Sequence, residues 1–109
     1  MRDGFVYLSG PITAGHGRTV ADNVASALAV YYACLRAGIP AFCPHLSALD
    51  PAAFEIDYET WMAQSFAVIG RCTALLMLPH WEQSSGALRE RSWAESRGMP
   101  VYESLEAML

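Results

Sequence analysis

Residues 72–94 read CTALLMLPHWEQSSGALRERSWA, and this stretch decides the fold. The apolar run Thr73–Pro79 is too short for a helix of ordinary length and shows no alternation. It therefore predicts a strand covered on both faces, as in a parallel sheet. A polar turn follows from His80, and Ser84-Ser85-Gly86 restarts the chain as a helix that carries Glu90 in or just after its first turn. In an open α/β sheet, ligands bind where the carboxyl ends of strands meet helix N-termini. A carboxylate there, beside small hydroxyl residues and a glycine, marks a site.

Working outward, Phe5–Leu8 is a short β-prone strand ended by Ser9-Gly10-Pro11, and Thr13–Arg18 is a glycine-bearing loop. A helix starts near Thr19 or Ala21, with Val20, Val24, Ala27, Leu28, Tyr31 and Leu35 at helical spacing. Gly38 closes it, and Pro40–Cys43 is extended. Pro44–Phe54 is expected as a loop. Asp57–Arg71 reads as a helix with Trp61, Met62, Phe66 and Ile69 near one face. After the strand at Thr73–Leu78, a helix runs from Ser85 to Arg97 with Gly98 as its cap. Pro100–Tyr102 is a last strand, and Ser104 caps a helical stub. Strand and helix alternate throughout, which predicts a single α/β domain over residues 1–109. The expected architecture is a flavodoxin-like, Rossmann-like three-layer fold with four or five parallel strands in the order 2-1-3-4. The tips of strands 1 and 3 then meet at the switch point, so that Ser9-Gly10-Pro11 and the His80–Gly86 turn line one cleft.

The chain has 109 residues, 53% of them hydrophobic, with three Trp and five Tyr. So apolar a surface in so small a domain predicts a homo-oligomer, a dimer or larger. The net charge of −4 leaves no basic stripe for a nucleic-acid polymer. All seven cations are Arg, which excludes lysine Schiff-base chemistry and a P-loop lysine. Cys34, Cys43 and Cys72 form no CxxC pair and read as reduced thiols of a cytoplasmic protein. No apolar run reaches membrane-spanning length, and no signal-peptide pattern precedes the first strand. His16, His45 and His80 share no metal-ligand spacing, and Gly10-Pro11 is no dinucleotide fingerprint, so neither metal nor organic cofactor is expected.

Each chemical candidate has a plainer explanation beside it. Glu90 near a helix start is held as an anion by the helix dipole and can attack an anomeric carbon; equally, it can simply complement that dipole. Asp57 serves as an N-cap or handles a proton. Tyr7 reaches the cleft with its hydroxyl or fills the core. Ser84, Ser85 and Gly86 form an anion cradle or a capping sequence. Arg18, following two loop glycines, neutralises a phosphate or is solvated. Trp61 and Trp81 stack a base or pack the core.

YLSGPI on the first strand, Asn23 on the first helix, DYETWM, and LPHWEQSSGALRERSWA in that order resemble the nucleoside 2-deoxyribosyltransferase-like superfamily over nearly the whole chain. The resemblance is to its small phage and bacterial members, related to the 2′-deoxynucleoside 5′-phosphate N-hydrolases. It implies that Glu90 is the nucleophile on C1′ of the sugar, that Tyr7 orients its carboxylate, and that Asp57 assists the leaving base. It further implies that Ser84, Ser85 and Gly86 hold a 5′-phosphate, while Ser9, Gly10, Pro11 and Arg18 complete the substrate pocket. The expected reaction is cleavage of the N-glycosidic bond of a nucleoside or nucleoside 5′-monophosphate. Arg91-Ser92 stand where transferases carry Leu-Gly, and the chain ends at Leu109 without the downstream asparagine and carboxylate that complete a transferase site. Those departures favour hydrolysis over base transfer. The alternative expectation is a non-catalytic nucleotide sensor that uses the same cleft.

Overall fold

The computed structural model describes residues 4–109. Four parallel strands, β1 (Val6–Ser9), β2 (Ala41–Phe42), β3 (Ala74–Met77) and β4 (Val101–Tyr102), lie in the order β2-β1-β3-β4. The sheet is therefore the expected α/β arrangement, with four strands. Val6 pairs with both Ala41 and Ala74, Ser9 with Met77, and Leu75 with Val101. Every residue of β1 and β3 is buried, which is why both read as unbroken apolar runs.

Four helices connect and flank the strands: α1 (Val20–Arg36), α2 (Tyr58–Ile69), α3 (Ser85–Ser96) and α4 (Leu105–Met108). Each begins at a side-chain cap. Thr19 makes a reciprocal capping box with Asp22, and Asp57, Ser84 and Ser104 accept from Thr60, Ala87 and Ala107 backbone N–H groups. Gly38, just past α1, sits at φ 75°, the left-handed region that glycine enters without a Cβ clash.

Strand alternation divides the core into two faces. Val6, Leu8, Leu76 and Leu78 pack against Ala27 and Cys34 of α1 and Met108 of α4. Tyr7, Leu75 and Met77 pack against Ile69 of α2 and Ala87 and Ala94 of α3. The result is three layers, with α1 and α4 on one side and α2 and α3 on the other.

Two local expectations change. The Pro44–Phe54 segment is not irregular: it forms two 3-10 turns, Pro44–Ala48 and Pro51–Glu55, each entered through its proline. Proline presets the backbone for a first turn, and 3-10 runs are short because their hydrogen-bond geometry is poorer than that of an α-helix. The first strand is displaced by one residue, ending at Ser9 rather than Leu8, so Ser9 belongs to the buried ladder. Cys34 and Cys43 are buried free thiols and Cys72 is a half-buried one. Among the described residues, no helix is long and apolar enough to cross a membrane.

Candidate active site

Glu90 occupies a position where an apolar side chain would be expected. Ala87, Glu90 and Ala94 recur at the helical interval and form the stripe of α3 that faces the sheet, and all three are buried. Glu90 sits in the second turn of α3, six residues beyond its cap, and only 7% of it is exposed. Tyr7 and Ser9 share the strand face that α3 covers, so both reach this carboxylate. The Ser9 hydroxyl donates to Oε1 at 2.6 Å, and the Tyr7 hydroxyl to Oε2 at 3.1 Å. The first distance is at the short end for a hydroxyl–oxygen hydrogen bond. Ser65 of α2 lies 3.1 Å from the Tyr7 oxygen. One phenolic hydrogen serves one acceptor at a time, so Tyr7 gives it to Glu90 or to Ser65, both within reach.

Burial pushes the Glu90 carboxyl above the ordinary carboxylate range, opposed by the hydroxyls of Ser9, Ser65 and Tyr7. This corrects the expectation of a dipole-stabilised anion. The dipole acts within the first turn, and Glu90 lies beyond it, where loss of solvent dominates. Burial, with the Glu90 carboxylate beside it, likewise drives the Tyr7 phenol upward, which keeps it a hydrogen donor.

Glu90 lies at the floor of a cleft of about 620 Å³, within the range of small-molecule sites. The cleft opens at the switch point between β1 and β3. Its walls include Gly10, Pro11, Arg18, Asp57, Ser84, Ser85 and Gly86 along with Tyr7. Of the residues that the resemblance assigns to the site, Ser9 alone is absent from the wall, and Trp81, weighed as a base-stacking residue, is absent as well. The Ser9 hydroxyl is committed to Glu90 beneath the surface, so it positions the carboxylate rather than meeting a ligand. The expectation that the whole His80–Gly86 turn lines the cleft is also corrected. Gln83 to Gly86 do, whereas His80, Trp81 and Glu82 border a separate depression beside α1 and α4. His80 adopts φ 68°, which turns the chain away at that point.

Asp57 stands at the rim as the cap of α2, with Oδ1 3.3 Å from the Thr60 nitrogen. Arg18 is held by its Nε to Asn23 Oδ1 at 2.9 Å and by Nη2 to the Asp22 carbonyl at 3.1 Å. At the start of α3 the Ser84 hydroxyl accepts from Ala87, and the N–H groups of Ser85 and Gly86 meet no acceptor among the described residues. Arg91, adjacent to Glu90 in sequence, faces elsewhere. It lies 4.6 Å from the Trp81 ring centre and pairs with Glu103 at 2.9 Å.

Several site residues were not singled out from the sequence. Ser65 lies on the α2 stripe Tyr58, Met62, Ser65, Ile69, where a hydroxyl among apolar residues was a legible signal. Phe42 stacks on Tyr7, with ring centres 5.8 Å apart, and with Phe54, Tyr58 and Trp61, of which the sequence singles out only Trp61, it gives the cleft aromatic walls. The Trp61 indole N–H donates to the Ala53 carbonyl at 2.8 Å, which fixes its ring at the cleft edge. Among the described residues, no three His, Cys, Asp or Glu side chains converge as metal ligands.

Fold and site together define a doubly wound α/β protein with a buried carboxylate at the floor of its switch-point cleft. The chain belongs to the family described as Domain of unknown function (DUF4406), whose model matches residues 5–103. No curated protein and no solved structure matches the chain.

Proposed function

We propose that this protein cleaves the N-glycosidic bond of a nucleoside or nucleoside 5′-monophosphate, with Glu90 as nucleophile. The observation that carries the reading is the Glu90 carboxylate, buried on an apolar stripe yet open to the cleft, and held among the described residues by hydroxyls alone. A carboxylate buried without a cation costs stability, and an alanine or methionine would pack that stripe better. Its presence is accounted for by chemistry. The hydroxyls of Ser9 and Tyr7 fix its two oxygens and leave a lone pair of the ionised form for an electrophile above the floor. The resemblance to the nucleoside 2-deoxyribosyltransferase-like superfamily supports the same residue in the same role.

In the first step a Glu90 oxygen bonds to C1′ as the C1′–N bond breaks. The bonding pair goes to the base nitrogen, which takes a proton from Asp57 at the rim. The product is a glycosyl ester on Glu90. Water then attacks C1′ and breaks the C1′–O bond to Glu90, releasing the sugar with a new C1′ hydroxyl and regenerating the carboxylate, while the water proton returns to Asp57. The aromatic walls stack the base. A 5′-phosphate has two seats available, the start of α3 and the Arg18 loop.

The test is incubation of the protein and Glu90→Gln with nucleosides and their 5′-monophosphates, followed by chromatography for free base. Base release by the wild-type chain, reduced at least ~10³-fold in the variant, is expected. Equal release by both would sink the assignment of Glu90. Adding a second base then separates hydrolysis, the favoured outcome, from transfer. The second reading, a nucleotide sensor, draws on how little of Glu90 is exposed. It predicts a nucleotide-dependent rise in Tm with no base released from any substrate.

A further inference from the structure

Helix α1 covers one face of the sheet, and the side it turns to solvent is almost free of charge. Its inner side is the buried row Asn23, Val24, Ala27 and Cys34. At about 100° per residue, the opposite side carries Asp22, Ala25, Ala29, Tyr32 and Arg36, and all of these are exposed. Tyr32, and Leu35 beside this row, are each 48% exposed. The solvent side of a helix ordinarily carries charged and polar residues. Along the 17 residues of α1 only Asp22 and Arg36 are charged, one in the first turn and one in the last.

The placing of those two charges defines a symmetry. Each stands seven residues from Ala29, close to two helical turns, so the three lie in one row. A second α1 laid antiparallel across Ala29 brings Asp22 of each copy beside Arg36 of the other, twice over. A parallel pair instead sets like charge against like at both ends, which repulsion disfavours. Both groups have capacity to spare. Arg36 makes no ion pair or hydrogen bond among the described residues, and Asp22 commits only Oδ2 to its capping box. The small side chains of Ala25 and Ala29 allow the two axes to approach to about 8 Å and leave room for the partner's Tyr32 ring. Exposed ion pairs contribute little affinity, so the charges set direction and register while the apolar area supplies the binding.

We propose that the outer face of α1 is an interface between two copies of this chain, in which α1 packs antiparallel on α1 about a two-fold axis at Ala29. Asp22, Ala25, Ala29, Tyr32 and Arg36 are all absent from the cleft wall. The contact is therefore distinct from one at the cleft mouth, and it holds whatever the cleft binds.

The test places single cysteines on α1 in the Cys72→Ser background, where the remaining native thiols are buried. Oxidised glutathione is the oxidant, and non-reducing electrophoresis is the readout. Ala29→Cys stands at the axis facing its own copy and should cross-link into a covalent dimer. Ala25→Cys lies four residues off the axis, which separates it from its copy by about 12 Å along the helix, beyond the roughly 7 Å that a disulfide spans. It should cross-link at least ~10-fold more slowly. Ala29→Arg sets two guanidinium groups against each other at the axis, on an exposed position that leaves the fold intact. Light scattering after gel filtration should give it a lower mass than the wild type, with unchanged far-UV circular dichroism. Arg36→Glu should weaken the association about tenfold. Adding Ile56→Glu should leave the Ala29→Cys cross-link in place. Equal cross-linking at both positions, its loss with Ile56→Glu, or a mass unchanged by Ala29→Arg would overturn the proposal. No cross-link at Ala29 would overturn it too, and would leave the α1 face to a different protein.

Discussion

Glu90 and His45 are buried titratable side chains whose protonation moves stability in opposite directions. Burial raises the Glu90 carboxyl, so the fold holds that proton to higher pH than the unfolded chain does. Stability falls as pH climbs from the ordinary carboxylate value, about 4.3, through the raised folded value, and the cost is complete above it. Glu90→Gln removes the titration and keeps acceptors for Ser9 and Tyr7. Its expected Tm exceeds that of the wild type by a few degrees near neutral pH, with the gap closing below about pH 4, as read by thermal melts across pH. His45 behaves inversely. Burial lowers its imidazole, only partly offset by the Pro11 carbonyl, and its Nδ1 has no partner among the described residues. Its contribution is complete above the unfolded value of about 6.5 and declines as pH falls below that. His45→Gln keeps a donor for Pro11 and removes the titration, so this part of the acid-side loss should vanish. His45→Leu should instead cost about 1–3 kcal/mol by stranding that carbonyl, as measured by urea unfolding. Unchanged acid sensitivity in His45→Gln would refute the assignment.

At the scale of elements, α3 and β1 place the chemistry because their periods coincide on one face. The three-four spacing of Ala87, Glu90 and Ala94 meets the two-residue alternation of Tyr7 and Ser9. The stripe was readable in the sequence, and so was the anomaly of a carboxylate on it. The end of β1 was not, because Ser9-Gly10-Pro11 resembles a turn throughout. Ser9 belongs to the strand only because the β3 partner Met77 continues the ladder that far. Gly10 then passes so near β3 that a Cβ built there would lie 2.6 Å from Leu78 Cβ. Gly10→Ala must push β1 and β3 apart at the cleft, at a cost of about 1–3 kcal/mol. Urea unfolding should show that loss together with weakened ligand binding. A variant as stable as the wild type would mean that the strand ends yield freely.

Over the whole molecule, the strand order creates the cleft by sending α1 to one side of the sheet and α2 and α3 to the other. The mouth of that cleft carries much exposed apolar area, with Phe54, Ile56 and Tyr58 each close to half exposed. A homo-oligomer covering this rim is therefore expected, and light scattering after gel filtration should give at least twice the chain mass of 11.9 kDa. Ile56→Glu should raise the monomer fraction, whereas a monomeric wild type at tens of micromolar would remove the expectation. The sequence by itself determined the order of strands and helices, the parallel sheet, the helix caps and the position of Glu90, since apolar period and capping chemistry are local properties. Tertiary structure alone decided that Glu90 is desolvated instead of dipole-held, and that Ser9 is a buried donor to it. It also decided that Arg91 faces away from the cleft, and that His45 and Asn23 turn the Pro11–Thr13 carbonyls inward. Each of these depends on which groups meet across the sheet at separations of tens of residues. A side chain's local neighbours along the chain carry no record of the solvent or partners that packing takes away or supplies.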